Sequence, residues 1–458
     1  MRTDINFMEL SAAQGWPQES SQHLLIDWET GEGALILQEG FTEGLYLSPV
    51  VETPLFENLV VCWNADTPEG SSLEVSARVY LPGRKQWSPW GSWGRWSPYA
   101  ERRNRSGTYP DEDPLIRMDC DILEPCGEAA SALQICCELR RERPDVKIAL
   151  RRLTIALRNR KLPEIPSRKE NGPAIPQKWI LNTPACSQMI RDPEIANCIC
   201  NPTTMAVLLS ERGTQVLPEV MALSCVDLIE GFGNWSYAAA AVGMYGYKAW
   251  ARFLDYEGLK TEIAAGRSVG VSVHYAKSPE EAAQRRLPYV EGAPCTTPGH
   301  ILAVRGYATE NGREYVYVSD SAAESDAEAL RRYPAEQFLE AWSGRLCYII
   351  GQKEKGAGFG VPEFQEITLC RTNSGRYRLL YEGEPVLVTP QWLQEKKSVP
   401  GRMTLMLQQV GNSQGPMEAN QCFLYPEPDT DSSIEIPEGE WNVYLISNTG
   451  LRLKGRKR

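Results

Sequence analysis

Residues 198–209 read CICNPTTMAVLL, two cysteines one residue apart followed by a proline and an apolar run. Pro202 suits the first turn of a helix, where a missing backbone N–H costs nothing, and TTMAVLLSERG continues helically to a terminating Gly213. Cys200 therefore stands at a helix N-terminus. Free N–H groups and the positive end of the helix dipole stabilise a thiolate there and lower its pKa. Cys198, in the preceding loop, lacks that position.

A thiolate nucleophile needs a proton partner. The chain holds three histidines, His23, His274 and His300, and no HExxH. The cysteine pairs Cys120/Cys126, Cys136/Cys137 and Cys198/Cys200 lack the repeated two-residue gap that closes a tetrahedral zinc, and Cys198/Cys200 lack the spacing of a redox pair. No metal or organic cofactor is expected. His274 ends the strand-like run VGVSVHY, whereas His300 follows TTPG and opens HILAVRGY, a loop-to-strand junction of the kind that displays catalytic groups. His300 is the better base.

The strand from His300 turns at an Asn-Gly hairpin signal and returns as EYVYVSD, ending on Asp320. A turn centred between Asn311 and Gly312 pairs Asp320 with position 303, about 10 Å along the strand from His300. A longer loop or a bulge must adjust that register if Asp320 is to orient the imidazole.

The ordered set Gln188 in CSQM, Cys200 in CNPTTMAVLL, His300 in GHILAVRGY and Asp320 in VYVSDS resembles the papain-fold cysteine peptidases related to the bacteriocin-processing, double-glycine leader peptidases. GNWSYAAAAVGMYG and AEQFLEAW resemble that family's intervening helix and closing region. The resemblance spans about residues 178–350. It implies Cys200 as nucleophile, His300 as general base and then acid, Asp320 as its orienting acceptor, and Gln188 as donor to the oxyanion. It also makes Asn201 and Trp235 candidates for substrate binding. One departure stands out, since family members usually carry Gly where this chain has Asn201.

The segment KLPEIPSRKENGPAIPQ, residues 161–177, holds four prolines and no apolar period, which reads as a linker. Before it, short alternating runs such as SLEVSARVYL predict an N-terminal β-sandwich over 1–160. After it, mixed helix and strand patterns predict a papain-like α+β unit over 178–352, and further strand-like runs a small β domain over 353–458. The fold class expected is α+β. Tryptophans 87, 90, 93 and 96 recur in WSPWGSWGRWSPY among Gly, Ser and Pro, implying a loop or irregular edge strand. They serve either to plug the rim of the sandwich or as a platform for a glycan or cell-wall peptide.

A net charge of −11 and a pI near 5.2 argue against nucleic-acid or anionic-membrane partners. The N-terminal MRTDINFMEL lacks the apolar region of a signal peptide, and the longest apolar stretch, YAAAAVGMYGY, stops at Lys248. Thirteen scattered cysteines fit reduced thiols, so a cytoplasmic location is expected. The function expected is hydrolysis of a peptide or amide bond through a Cys200 thioester. The alternative is an inactive papain-like scaffold that binds a glycan or peptide.

Overall fold

The computed structural model describes residues 6–29, 32–99, 113–119, 121–160, 175–193, 195–227 and 231–358, with shorter segments between 365 and 457. Most of the expected linker, from 161 to 174, lies outside the described residues. The chain is mixed α+β with more strand than helix. Among the described residues no helix is long and apolar enough to cross a membrane.

The N-terminal region forms two seven-stranded sheets. Ser71–Leu81 and Ala130–Arg141 are the long strands of one, Asn58–Asp66 and Ala149–Arg158 of the other. The tryptophan segment supplies an edge. Gly91–Trp96 pairs with Ser71–Leu81, with a register shift between Ser92 and Arg95. A spacing of three contradicts strand alternation, and the bulge resolves it: Gly94, at φ 78°, absorbs the extra residue so that Trp93 and Trp96 are both fully buried. Trp87 and Trp90 instead lie against the Arg78 guanidinium, at 4.9 and 5.0 Å.

A third seven-stranded sheet organises the middle of the chain, in the order Tyr247–Phe253, Leu346–Lys353, Val269–Tyr275, Thr297–Glu310, Arg313–Ser319 and Leu330–Pro334. Trp179–Ile180 pairs onto Thr297–Glu310 beside Gly306, where a Cβ would meet the Trp179 carbonyl at 2.7 Å. Alternation splits this sheet between two cores. Val271, Val273, Leu302 and Val316 pack with Leu259, Phe338 and Trp342 of neighbouring helical segments. Ile301, Ala303 and Tyr348 pack on the other side with the helices Cys200–Glu211 and Trp235–Gly243.

That second core does not stop at the N-terminal region. One apolar cluster runs through Leu59, Trp63, Trp93 and Trp96 into Met205, Val220, Tyr237 and Tyr348, and takes in Met406 and Tyr444. Tyr237 Oη donates to the Trp93 carbonyl at 2.6 Å, and Trp96 Nε1 to the Ser224 carbonyl at 3.1 Å. Trp93 and Trp96 thus pack where the N-terminal sheets meet the helices. Past residue 364 the described strands belong to one five-stranded and one four-stranded sheet.

Candidate active site

The helix Cys200–Glu211 begins at the half-buried Cys200, with Pro202 in its first turn. Burial alone would push the Cys200 thiol up. A hydrogen bond and charge from His300, with the backbone groups of Ile301 and Asn201, outweigh it and hold the thiol below its ordinary range. At several other described thiols burial wins. Burial pushes Cys62 and Cys186 up to about 12 and Cys136 to about 11. Cys198 is exposed, its sulfur donates to the Ile195 carbonyl at 3.1 Å, and burial and the nearby Cys200 raise it.

His300 is 5% exposed, and its Nε2 lies 2.8 Å from Asp320 Oδ1, which leaves Nδ1 for the thiol. Burial opposes the imidazolium, yet the Asp320 and Cys200 charges win and raise His300 well above its usual value.

A bulge brings Asp320 to the imidazole. From the Asn311–Gly312 turn, at φ 51° and 80°, the hairpin pairs Glu310 with Arg313 and continues regularly to Gly306 opposite Tyr317. Arg305 is then skipped, so Val304 faces Val318 and Ala303 faces Ser319. One further step sets Asp320 across from Leu302 instead of 303. Residues paired across a ladder share a face, as do positions two apart. The bulge therefore turns Asp320 onto the His300 side.

Asp320 is fully buried and saturated with donors. Oδ1 also accepts from the Ala322 N–H at 3.0 Å, while Oδ2 accepts from Tyr333 Oη at 2.6 Å and Tyr275 Oη at 2.9 Å. Burial would raise its pKa, but the His300 charge and these donors bring it down to about 2. The same burial and the Asp320 charge push both phenols well up, so they remain donors.

Gln188 is 4% exposed and held from both ends. Its Oε1 accepts from Ser321 Oγ at 2.7 Å, which fixes the amide orientation, and Nε2 donates to the Ala196 carbonyl at 2.7 Å. Ala196 opens the 3-10 turn Ala196–Cys198 leading into Cys200, and Ser321 follows Asp320. Gln188 thus joins the segments that carry the thiol and the carboxylate. Among the described residues no group of three or more His, Cys, Asp and Glu side chains is arranged to hold a metal ion.

Residues 180–349 match the model of the peptidase C39-like family, and residues 11–157 match that of the peptidase C39 N-terminal domain. Together these matches span more than half of the sequence. The chain belongs to the C39-like peptidase family. No curated protein matches it. Among solved structures it is similar to a digestive procathepsin L 3 from Tenebrio molitor larval midgut, at 11% identity and a TM-score of 0.29, covering 41% of this chain and 73% of that one. It is also similar to the C-terminal CBM6 of LamC from Zobellia galactanivorans, at 9% identity and a TM-score of 0.18, covering 33% of this chain and 99% of that one.

Two residues expected at the substrate have buried side chains in this C39-like protein. Asn201 is fully buried, and its Nδ2 donates to the Phe232 carbonyl at 2.9 Å, because the helix turns that side chain into the core. Trp235 is 7% exposed and stacks on Tyr348 with ring centroids 4.1 Å apart. His274 is half-buried, and the neighbour that matters is Tyr275, which falls on the buried face of the alternating strand Val269–Tyr275. GRSVG at 266–270 has the spacing of a serine nucleophile turn, but Ser268 is buried and its hydroxyl is shared with Thr183 at 2.7 Å. Tyr333 and Ser321 were not singled out by sequence reasoning, for each is brought in by a strand or turn remote from Cys200.

Proposed function

We propose that the protein is an active cysteine peptidase in which Cys200 forms a thioester with its substrate. The observation that carries this is the continuous chain from a lowered Cys200 thiol through His300 to a saturated Asp320. The thiolate attacks the scissile carbonyl and forms a C–S bond. The developing oxyanion is taken by the second Nε2–H of Gln188 and backbone N–H groups at the start of the Cys200 helix. His300 Nδ1–H protonates the departing amine as the C–N bond breaks. Water then attacks the thioester, His300 takes its proton, and collapse releases the carboxylic acid and the thiolate. Asp320 keeps the ring oriented and stabilises the imidazolium throughout.

Brief treatment with iodoacetamide at neutral pH, followed by peptide mapping, tests this reading. Cys200 carries the adduct first, and peptide cleavage is lost with it. Labelling of the exposed Cys198 or Cys370 while Cys200 stays inert would sink the proposal.

A further inference from the structure

Asn201 directly follows Cys200, yet its side chain is sealed away from any substrate. Nδ2 donates to the carbonyls of Phe232 at 2.9 Å and Asn234 at 3.4 Å, within a small apolar cluster of Ile199, Ala222, Val226 and Phe232. Asn234 is itself a junction. It caps the helix Trp235–Gly243 by accepting from the Tyr237 N–H at 2.9 Å, and its Nδ2 donates to Asp227 at 3.0 Å. The adjoining N–H of that helix, at Ser236, donates to Asp121 Oδ2 at 2.9 Å, and Asp121 immediately precedes the N-terminal region's strand Ile122–Pro125.

We infer that Asn201 is a positioning residue that fixes the turn at Cys200 against Asn234, and that Asp121 anchors this turn to the N-terminal β region. The inference rests on Cys200 being the nucleophile. Its physical basis is the position of one N–H. The first residues of a helix have no intrahelical partner for their amides and are the most free to fray. The Asn201 amide must point at the sulfur to stabilise a thiolate. With the Asn201 side chain bonded to two carbonyls on one side and Pro202 fixing the backbone on the other, that amide is held in place before substrate arrives. The helix Trp235–Gly243 is a sound anchor only while its own N-terminus is capped, and one of the caps comes from Asp121. The N-terminal β region thereby contributes to the reactivity of a thiol that it does not touch.

The test uses the full chain and follows two readouts: the rate of Cys200 alkylation by iodoacetamide against pH, and kcat and KM on a peptide substrate. Asn201→Gly and Asn201→Ala move the midpoint of the alkylation profile up by about one unit, so that labelling below it slows about tenfold. They lower kcat and leave KM near the wild-type value. Asp121→Asn, which keeps the shape and one accepting oxygen, moves the midpoint the same way by less. Tyr46→Phe serves as control, since its hydroxyl bonds the Pro17 carbonyl at 2.5 Å within the N-terminal region and outside this path; it lowers the melting temperature without moving the profile. If the Asn201 variants do not fold, Asp121→Asn carries the test. Profiles of Asn201→Gly or Asp121→Asn that superimpose on wild type overturn the inference while leaving the peptidase reading intact. A wild-type Cys200 that is inert at neutral pH overturns that reading instead.

Discussion

Thr204 Oγ1 donates to the Ile301 carbonyl at 3.0 Å, tying the helix one turn beyond Cys200 to the residue beside His300. Cys200 and His300 come from elements far apart in sequence, and this bond is a direct polar clamp between those elements. Thr204→Val keeps the shape and removes the donor, leaving a buried carbonyl short of its partner at about 1–3 kcal/mol. Thermal or urea unfolding should report a loss in that range, and kcat should fall more than KM rises. Unchanged kinetics in a destabilised variant would show that the clamp serves folding alone.

Asp320→Asn tests the charge that supports the imidazolium. The carboxylate raises His300, so removing it lowers the imidazole pKa, and the thiol loses part of the positive charge that holds it down. The sign follows for both limbs of the activity profile. The acid limb, set by thiol protonation, moves up, and the alkaline limb, set by loss of the imidazolium, moves down. The plateau in kcat/KM narrows from both sides. At its centre the rate falls by about 100-fold or more, the lower end of what a positioned acid–base group contributes.

Tyr333→Phe removes one of the donors on Asp320 Oδ2 and leaves Tyr275 in place. Asp320 has a depressed folded-state pKa of about 2, so its stabilisation is complete above the unfolded value near 3.9 and is lost as pH falls toward 2. Losing the Tyr333 hydroxyl raises that folded value. Acid unfolding should therefore begin at higher pH in Tyr333→Phe than in wild type, with the stability difference between the two full at neutral pH and shrinking as pH falls toward 2. Coincident acid transitions would mean that the remaining donors compensate fully.

How much of this site was legible in the sequence depends on how local each part is. The Cys200 helix start and the Asn311–Gly312 turn are written in neighbouring residues, Pro202 and an Asn-Gly pair, and the structure carries both. The face on which Asp320 falls is not local. One skipped residue, Arg305, decides it, and the bulge sits where Trp179–Ile180 crosses beside Gly306. Counting from the turn alone puts Asp320 on the wrong side of the sheet. Tyr275 and Tyr333 escape for a similar reason, since only the folded sheet brings their hydroxyls to one carboxylate. Asn201 reads as a substrate contact from its place in the chain, and only the helix's rotation reveals that it points inward. The tryptophan segment reads as a loop or irregular edge strand and forms a bulged edge, but that Trp93 and Trp96 pack against the central helices required the second set of elements.

The last prediction concerns the joint between the N-terminal sheets and the rest of the molecule. Arg151 and Arg152, on the strand Ala149–Arg158, converge on Glu354, which follows the strand Leu346–Lys353. Arg151 Nε lies 2.7 Å from one carboxylate oxygen and Arg152 Nη2 lies 2.6 Å from the other, with all three side chains at most 4% exposed. Arg151 also pairs with Asp66 and donates to the Gly243 carbonyl at the end of the helix Trp235–Gly243. Burial would raise Glu354, but the two guanidinium charges outweigh it and hold the carboxyl below its usual range. Glu354→Gln keeps the volume and removes the charge that Arg151 and Arg152 share, leaving Arg151 to Asp66 and Arg152 to the more exposed Glu9 and Glu32. Breaking one partner of such a network costs about 3–5 kcal/mol, far more than an exposed ion pair. A depressed carboxyl stabilises above its unfolded pKa and loses that contribution as pH falls, so the deficit of Glu354→Gln against wild type should be full at pH 7 and shrink in acid. The shared core of Trp63, Trp96 and Tyr237 predicts that the N-terminal sheets and central unit still unfold together, as one calorimetric transition at lower temperature. Two separated transitions in the variant would instead mean that the Glu354 network, and not the apolar core, joins the two regions.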